Sequence, residues 1–139
     1  MTDRVQADFR LDLVALSELY RSGAAKPTDV VRLTYRRIAA DASNPIWISL
    51  RPQDEVLEDA RRLELDHRRI DAASIPLYGG HGAIKDNIDV RGLPTTAGCR
   101  GRRCAADEDA PVVARMRAAG AIPIGKTNLD QFATGPTGT

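Results

Sequence analysis

The sequence predicts an α/β fold. Helix-period apolar stripes alternate with short β-rich runs, and glycines and prolines punctuate the boundaries between them. With 42% hydrophobic and 28% charged residues, the 139-residue chain has the composition of one globular unit with a modest core. Aromatic residues make up only 4%, so that core has to rest on Ala, Val, Leu and Ile.

Leu13, Leu16, Leu19 and Tyr20 recur at helical spacing and predict a helix over residues 11–22, stopped by Gly23. A second helix opens near Pro27, which suits a first turn. Its stripe is Val31, Tyr35 and Ile38, with Arg32, Arg36 and Arg37 facing water, and Asn44-Pro45 breaks it. Residues 46–50 (IWISL) read as a buried strand. Pro52 opens a charged helix to about residue 66, with Val56, Leu57, Ala60 and Leu63 inward. Residues 66–74 are polar, helical or irregular, and Gly79-Gly80-His81-Gly82 reads as a loop or mobile turn. A strand over 83–88 and a loop through Gly92, Pro94, Thr95 and Thr96 follow. Asp107, Glu108 and Asp109 precede a helix over 111–119, where acids suit the positive end of the helix dipole. Gly120 is its expected C′ residue, 121–125 a strand, and 127–132 a short helical turn. The chain divides into an N-terminal helical region with one short strand, 1–74, and the start of an α/β core, 75–139.

Charge and targeting exclude several classes. A net charge of +1 gives no polyelectrolyte bias, and the Arg100, Arg102, Arg103 cluster is followed at once by acids, so no nucleic-acid partner is expected. No apolar run has the length of a membrane span, and the first residues carry charges where a signal peptide needs an apolar core. Cytoplasmic residence without membrane association is the expectation. Cys99 and Cys104 are expected as free thiols in a reducing compartment. A metal site needs two further ligands, with only His67 and His81 on offer, and no metal is expected.

Residues 120–127 (GAIPIGKT) satisfy the P-loop expression GxxxxGK[ST]. A P-loop follows a strand, opens a helix and wraps a phosphate with backbone N–H groups. Here the glycine follows a helix, the intervening residues are apolar and strand-like, and Pro123 lacks a donor. A helix cap followed by a buried strand is the better reading. The glycine run at 79–82 has a different order from the oxyanion loops of α/β-hydrolases, and no GxSxG elbow accompanies it.

Lys85 lies in an apolar, strand-like run, Ala83-Ile84-Lys85-Asp86-Asn87. Burying an ammonium is costly, but tolerable where the amine works as a neutral base. If the run is extended, Lys85 shares a face with Ala83 and Asn87 while Asp86 points the other way and braces the loops behind. On the residues alone, an exposed edge-strand lysine that deters aggregation is the commoner situation.

Two long blocks carry a resemblance. AIKDNIDVRGLPTTAG at 83–98 and VVARMRAAGAIPIGKTNLDQFATG at 112–135 are similar, in order and spacing, to the amidase signature family of serine amidohydrolases. NPIWISL at 44–50 and LDQFATG at 129–135 resemble its allophanate hydrolase branch, the amidase component of urea amidolyase systems. The resemblance implies the N-terminal, incomplete portion of that fold, a mixed β-sheet flanked by helices. It implies amide C–N hydrolysis with release of ammonia by a Ser–cis-Ser–Lys triad, a small-molecule amide substrate, and no cofactor. The triad lysine falls on Lys85, acting as a neutral amine on the bridging serine. Asp86, Thr95, Thr96, Asn128 and Asp130 fall near the site as structural residues; Lys126 and Thr127 lie in the same blocks with loop bracing as their role. From the residues alone Asp130 reads equally as a helix-start acid, and Cys99 as a small buried residue rather than a nucleophile.

Three departures from the family pattern shape the expectation. Gly80-His81-Gly82 stands where bulkier apolar groups wall in the lysine, which should loosen the strand entry and hydrate Lys85. Pro136 and Thr137 replace apolar residues. The serine- and glycine-rich block that carries both serines of the triad is not among these residues, so the isolated chain is expected to be inactive. Two other readings stay open: a decayed gene product, and a non-catalytic binding module that pairs with itself as a homodimer or with a complementing C-terminal half.

Overall fold

The computed structural model describes residues 10–67, 75–99, 101 and 104–135. Helices α1 (Leu13–Ser22) and α2 (Pro27–Ala40) lead to strand β1 (Trp47–Leu50) and helix α3 (Gln53–His67). Then come β2 (His81–Lys85), the short strands β3 (Pro94–Thr95) and β4 (Cys104–Ala105), helix α4 (Pro111–Ala118) and β5 (Ile122–Thr127). A 3₁₀ turn, Gln131–Ala133, follows. The main sheet has the order β1-β5-β2, with β5 antiparallel to β1 and parallel to β2. A second small ladder joins β3 to β4. Among the described residues no helix is long and apolar enough to cross a membrane.

The helices form where local chemistry dictates. Asp12 caps α1 by accepting the Ala15 N–H at 2.9 Å, and those backbone contacts hold its carboxyl below the usual range. Gly23, at φ 72°, ends the helix in the left-handed conformation. The predicted start is two residues early, and Leu13 is largely exposed, although its tip rests on Gly80. Helix α2 begins at Pro27, and the Asp29 carboxylate accepts the Lys26 N–H at 3.1 Å. A further orphan donor of that first turn, the Thr28 N–H, bonds to Glu64 of α3 at 2.9 Å. The stripes read from the sequence meet here: Val31 and Tyr35 of α2 pack with Val56, Leu57 and Ala60 of α3 on Ile122 and Ile124 of β5. Ile38 and Leu63 border that cluster. Tyr35 donates its hydroxyl to the Arg51 carbonyl at 2.6 Å, and burial pushes its pKa up to about 12.

Strand β5 is the hub. Pro123 has no N–H to give a ladder, and the β2–β5 register slips opposite it, between Gly82 and Ala83. Its carbonyl accepts from Arg51 Nη1 at 2.9 Å, and the same guanidinium meets Asp59 at 2.8 Å. Gly125 lets β1 come close: an added Cβ would sit 2.5 Å from the Ser49 carbonyl oxygen and 3.0 Å from the Trp47 ring. β1 is a half-buried edge strand rather than the buried strand predicted, because among the described residues only β5 flanks it.

The glycine run differs most from expectation. The strand starts at His81, inside the predicted loop, because His81 and Gly82 pair with Ile122 and Pro123. It ends at Lys85, where a turn closes with the Ile88 N–H on the Lys85 carbonyl at 3.0 Å. The entry is packed, not loosened. Gly79, at φ 66°, lies where a Cβ would meet the Tyr20 ring at 2.8 Å and Pro27 at 2.9 Å. Tyr20 also donates to the Gly79 carbonyl at 3.1 Å. His81 Nε2 lies 2.5 Å from Thr34 Oγ1, while Nδ1 faces the Gly79 carbonyl at 3.5 Å.

Around α4, Gly120 takes φ 94° just past the helix, as expected. The preceding acids do not cap the helix. Asp109 instead accepts the Arg91 N–H at 2.8 Å and pairs with Arg117 at 2.9 Å. Thr95 belongs to β3 rather than to a loop, and Thr127 to β5 rather than to a helical turn. Residues 68–74, Arg100, Arg102, Arg103, Pro136 and Thr137 lie outside the described residues.

Two outcomes are expected. Gly125→Ala should lower stability by about 1–3 kcal/mol through overpacking against β1, read as a lower urea midpoint at unchanged m-value. Burial lowers the His81 pKa below its ordinary value of 6.5. The unfolded chain therefore binds the proton more readily, and the neutral imidazole's contribution is complete above about pH 6.5 and lost as pH falls toward the folded value. Melting temperature should fall from pH 7.5 to 5.5, and His81→Gln should flatten that slope; an equal slope in both would count against it.

Candidate active site

Lys85 closes β2, level with Thr127 of β5, which is in turn level with Trp47 of β1. These three positions lie at the carboxyl end of the parallel pair, where α/β sheets place ligands. The alternation holds: Ala83, Lys85 and Asn87 are exposed while Ile84 and Asp86 are buried. Lys85 is thus exposed on an edge strand, the commoner situation on the residues alone, and hydrated as the Gly80-His81-Gly82 departure implied, although the strand entry is packed. Its neighbours in sequence bury themselves on the other face, and the ammonium stays in water.

The buried lysine is Lys126. It is wholly inaccessible, as is Asp86, and its Nζ lies 3.1 Å from Asp86 Oδ1. The ammonium also donates to Thr95 Oγ1 at 3.0 Å and to the Pro94 carbonyl at 3.2 Å. The β3–β4 ladder holds those last two acceptors. Asp86 Oδ2 accepts from the Thr96 N–H at 3.0 Å and from the Thr96 hydroxyl. The Asp86 backbone is held too: its N–H bonds to the Thr127 carbonyl and its carbonyl to the Ala97 N–H, both at 3.2 Å. A charge pair this deep persists where other groups share its charge. Here Asp86 Oδ2 and the ammonium have hydrogen-bond partners, while Oδ1 has the ammonium beside it and accepts no hydrogen bond.

Beyond Thr96 the chain turns through Ala97 at φ 53° and Gly98 at φ 73°, and the Cys99 N–H closes onto the Thr96 carbonyl at 3.0 Å. The turn lies against the segment after β5, with the Phe132 N–H on the Ala97 carbonyl at 2.8 Å. Between the turn and β1 runs a cleft of about 280 Å³ lined by Pro45, Trp47, Ile48, Thr96, Gly98, Cys99 and Asn128. Cys99 is a half-buried free thiol. Asn128 is fixed by its N–H on the Ile46 carbonyl at 2.7 Å and accepts the Leu129 N–H at 2.9 Å. Asp130 stands at the start of the 3₁₀ turn without a side-chain cap there, and Gly135 packs against its carboxylate.

Of the residues singled out from sequence, Asp86, Thr95 and Thr96 converge on one network directly behind Lys85. Asn128 lines the adjoining cleft, and Asp130 lies a turn further on. Lys126 does more than brace a loop; the sequence signal for it is that it too sits in an apolar run. The P-loop expression is accounted for, because Gly120 is a helix cap and 122–127 is a strand. Among the described residues no group of three His, Cys, Asp or Glu side chains is gathered to hold a metal ion.

Comparison with known proteins assigns this arrangement to a class. Residues 29–139 match the family described as Amidase. Over 93 residues the chain is 50% identical to urea amidolyase of Saccharomyces cerevisiae, covering 67% of this chain and 5% of that protein. It superposes on a structure of Kluyveromyces lactis allophanate hydrolase with a TM-score of 0.76 and 36% identity, covering 96% of this chain and 22% of that one. For the peptide amidase of Stenotrophomonas maltophilia the TM-score is 0.78 at 30% identity, over 88% of this chain and 26% of that one. The chain belongs to the amidase family. Within it, the chain resembles the allophanate hydrolase part of urea amidolyases and spans only a fraction of their length.

The buried pair makes a stability prediction. Lys126→Met should cost about 3–5 kcal/mol by leaving the Asp86 carboxylate buried without a counter-charge. Adding Asp86→Leu should restore most of it, and urea titration of both variants reads the difference.

Proposed function

We propose that this chain is the lysine-bearing part of an amidase that cleaves a small amide such as allophanate, and that Lys85 is the triad lysine. The observation that carries this reading is the placement of an exposed amine at the carboxyl end of the parallel strands, on a backbone fixed from behind by Asp86. The likeness to urea amidolyase and allophanate hydrolase supports the substrate class.

In this reading the serines come from polypeptide outside these 139 residues. In the complete enzyme, where the remainder covers Lys85 and removes it from water, its amine serves as the neutral base: it takes a proton from the bridging serine, which takes one from the nucleophilic serine as its oxygen attacks the amide carbon. The C–N bond breaks, the proton returns to the leaving nitrogen as ammonia departs, and water hydrolyses the acyl-enzyme. Exposure of Lys85 in this chain leaves it reachable by a serine presented from that remainder. No cofactor takes part. Soluble, cytoplasmic residence belongs to the same proposal. So does pairing with a complementing C-terminal half, which is favoured over a decayed product by the retention of the buried Lys126–Asp86 pair with its bonds to Pro94, Thr95 and Thr96.

Ammonia release from allophanate tests it. The purified chain alone should release none; mixed with the serine-bearing remainder of an allophanate hydrolase, it should release ammonia. Lys85→Ala should lower that rate at least about a thousandfold. Release by the chain alone, or a mixture indifferent to Lys85→Ala, would overturn the assignment.

A further inference from the structure

Lys126 and Asp86 pose a question that stability does not answer. A buried ion pair is often no more stabilising than an apolar pair of the same volume. The geometry points to a positioning role: we infer that Lys126, acting through Asp86, sets the position of Lys85 relative to β5 and to the turn at residues 95–97. The inference rests on the reading of Lys85 given above.

The argument is one of connectivity. Lys126 belongs to β5, and its ammonium reaches Asp86 at the end of β2 and Pro94 and Thr95 at the start of the turn. Asp86 is the residue after Lys85, and its N–H, carbonyl and carboxylate are tied to Thr127, Ala97 and Thr96 respectively. Three separate chain segments therefore meet on one carboxylate and one ammonium. An apolar pair fills the same space but is non-directional, so it leaves Thr96 and the Pro94 carbonyl without the groups that orient them. Lys85 is exposed, and its backbone is held by the β5 ladder and by the bonds of Asp86, the residue after it. Lys126 is thus a positioning residue, touching neither substrate nor the reacting atoms. A displacement of about 1 Å in a catalytic group costs on the order of a hundredfold in rate.

The test is the double variant Asp86→Leu/Lys126→Met, chosen because it keeps the fold where Lys126→Met alone risks losing it. In the reconstituted mixture, kcat for ammonia release should fall about a hundredfold with KM within about threefold, at a melting temperature close to the parent's. In the 139-residue chain itself, the amide resonances of Lys85, Thr96 and Ala97 should shift or broaden while those of α2 and α3 stay in place. A folded double variant with parental kcat and unmoved Lys85 and Ala97 resonances overturns the positioning role. The two proposals fail separately. If Lys85→Ala leaves activity intact, the catalytic assignment falls, and the resonances still decide whether the pair locates Lys85.

Discussion

The contact between Lys126 and Asp86 is the constraint on which this structure turns. Two full charges lie 3.1 Å apart with no access to water, a placement that is costly unless each is matched on every side. The bonds that offset this cost run to Pro94, Thr95 and Thr96, and with them to the β3–β4 ladder, while Asp86 Oδ1 has only the ammonium beside it; residues far apart in the chain become one connected block. The block forms a back wall to the carboxyl end of the sheet. An exposed amine in front of such a wall is defined in position without being buried, which suits a group that has to meet a partner arriving from elsewhere.

The rest of the fold serves the same end of the sheet from a distance. Helices α2 and α3 cover Ile122 and Ile124 and keep β5 in place, and Arg51 reaches across to the Pro123 carbonyl. Gly125 allows β1 to lie against β5 more closely than a side chain permits. At the opposite end, Tyr20 and Pro27 close over Gly79, and Thr34 takes hold of His81, so the entry to β2 is as firmly held as its exit.

Much of this was legible in the residues. The stripes of α2 and α3, the cap at Gly120 and the alternation through Ala83, Lys85 and Asn87 all follow from local periodicity, and the two long blocks sufficed for the family. What escaped was non-local. His81 and Gly82 look like loop because glycine disfavours strands, but pairing with Ile122 and Pro123 overrides that preference. Thr95 sits in a strand of two residues whose partner is Cys104, and no window of sequence reveals it. Lys85 and Lys126 both lie in apolar runs. Which one is buried depends on where the facing carboxylate falls, and Asp86 is one residue past the first and forty before the second.

Strand order also governs when such a sheet can exist. Among the described residues β1 and β2 do not pair with each other; each is joined there only to β5, which follows both in the chain. As the polypeptide emerges during synthesis, α1, α2 and α3 can gather early, but both flanking strands wait unpaired until Ile122–Thr127 appears. Assembly of the sheet is then a late, non-local event with a large closure entropy. The same step brings Lys126 to Asp86, so a nascent chain completes the sheet and neutralises its buried carboxylate together.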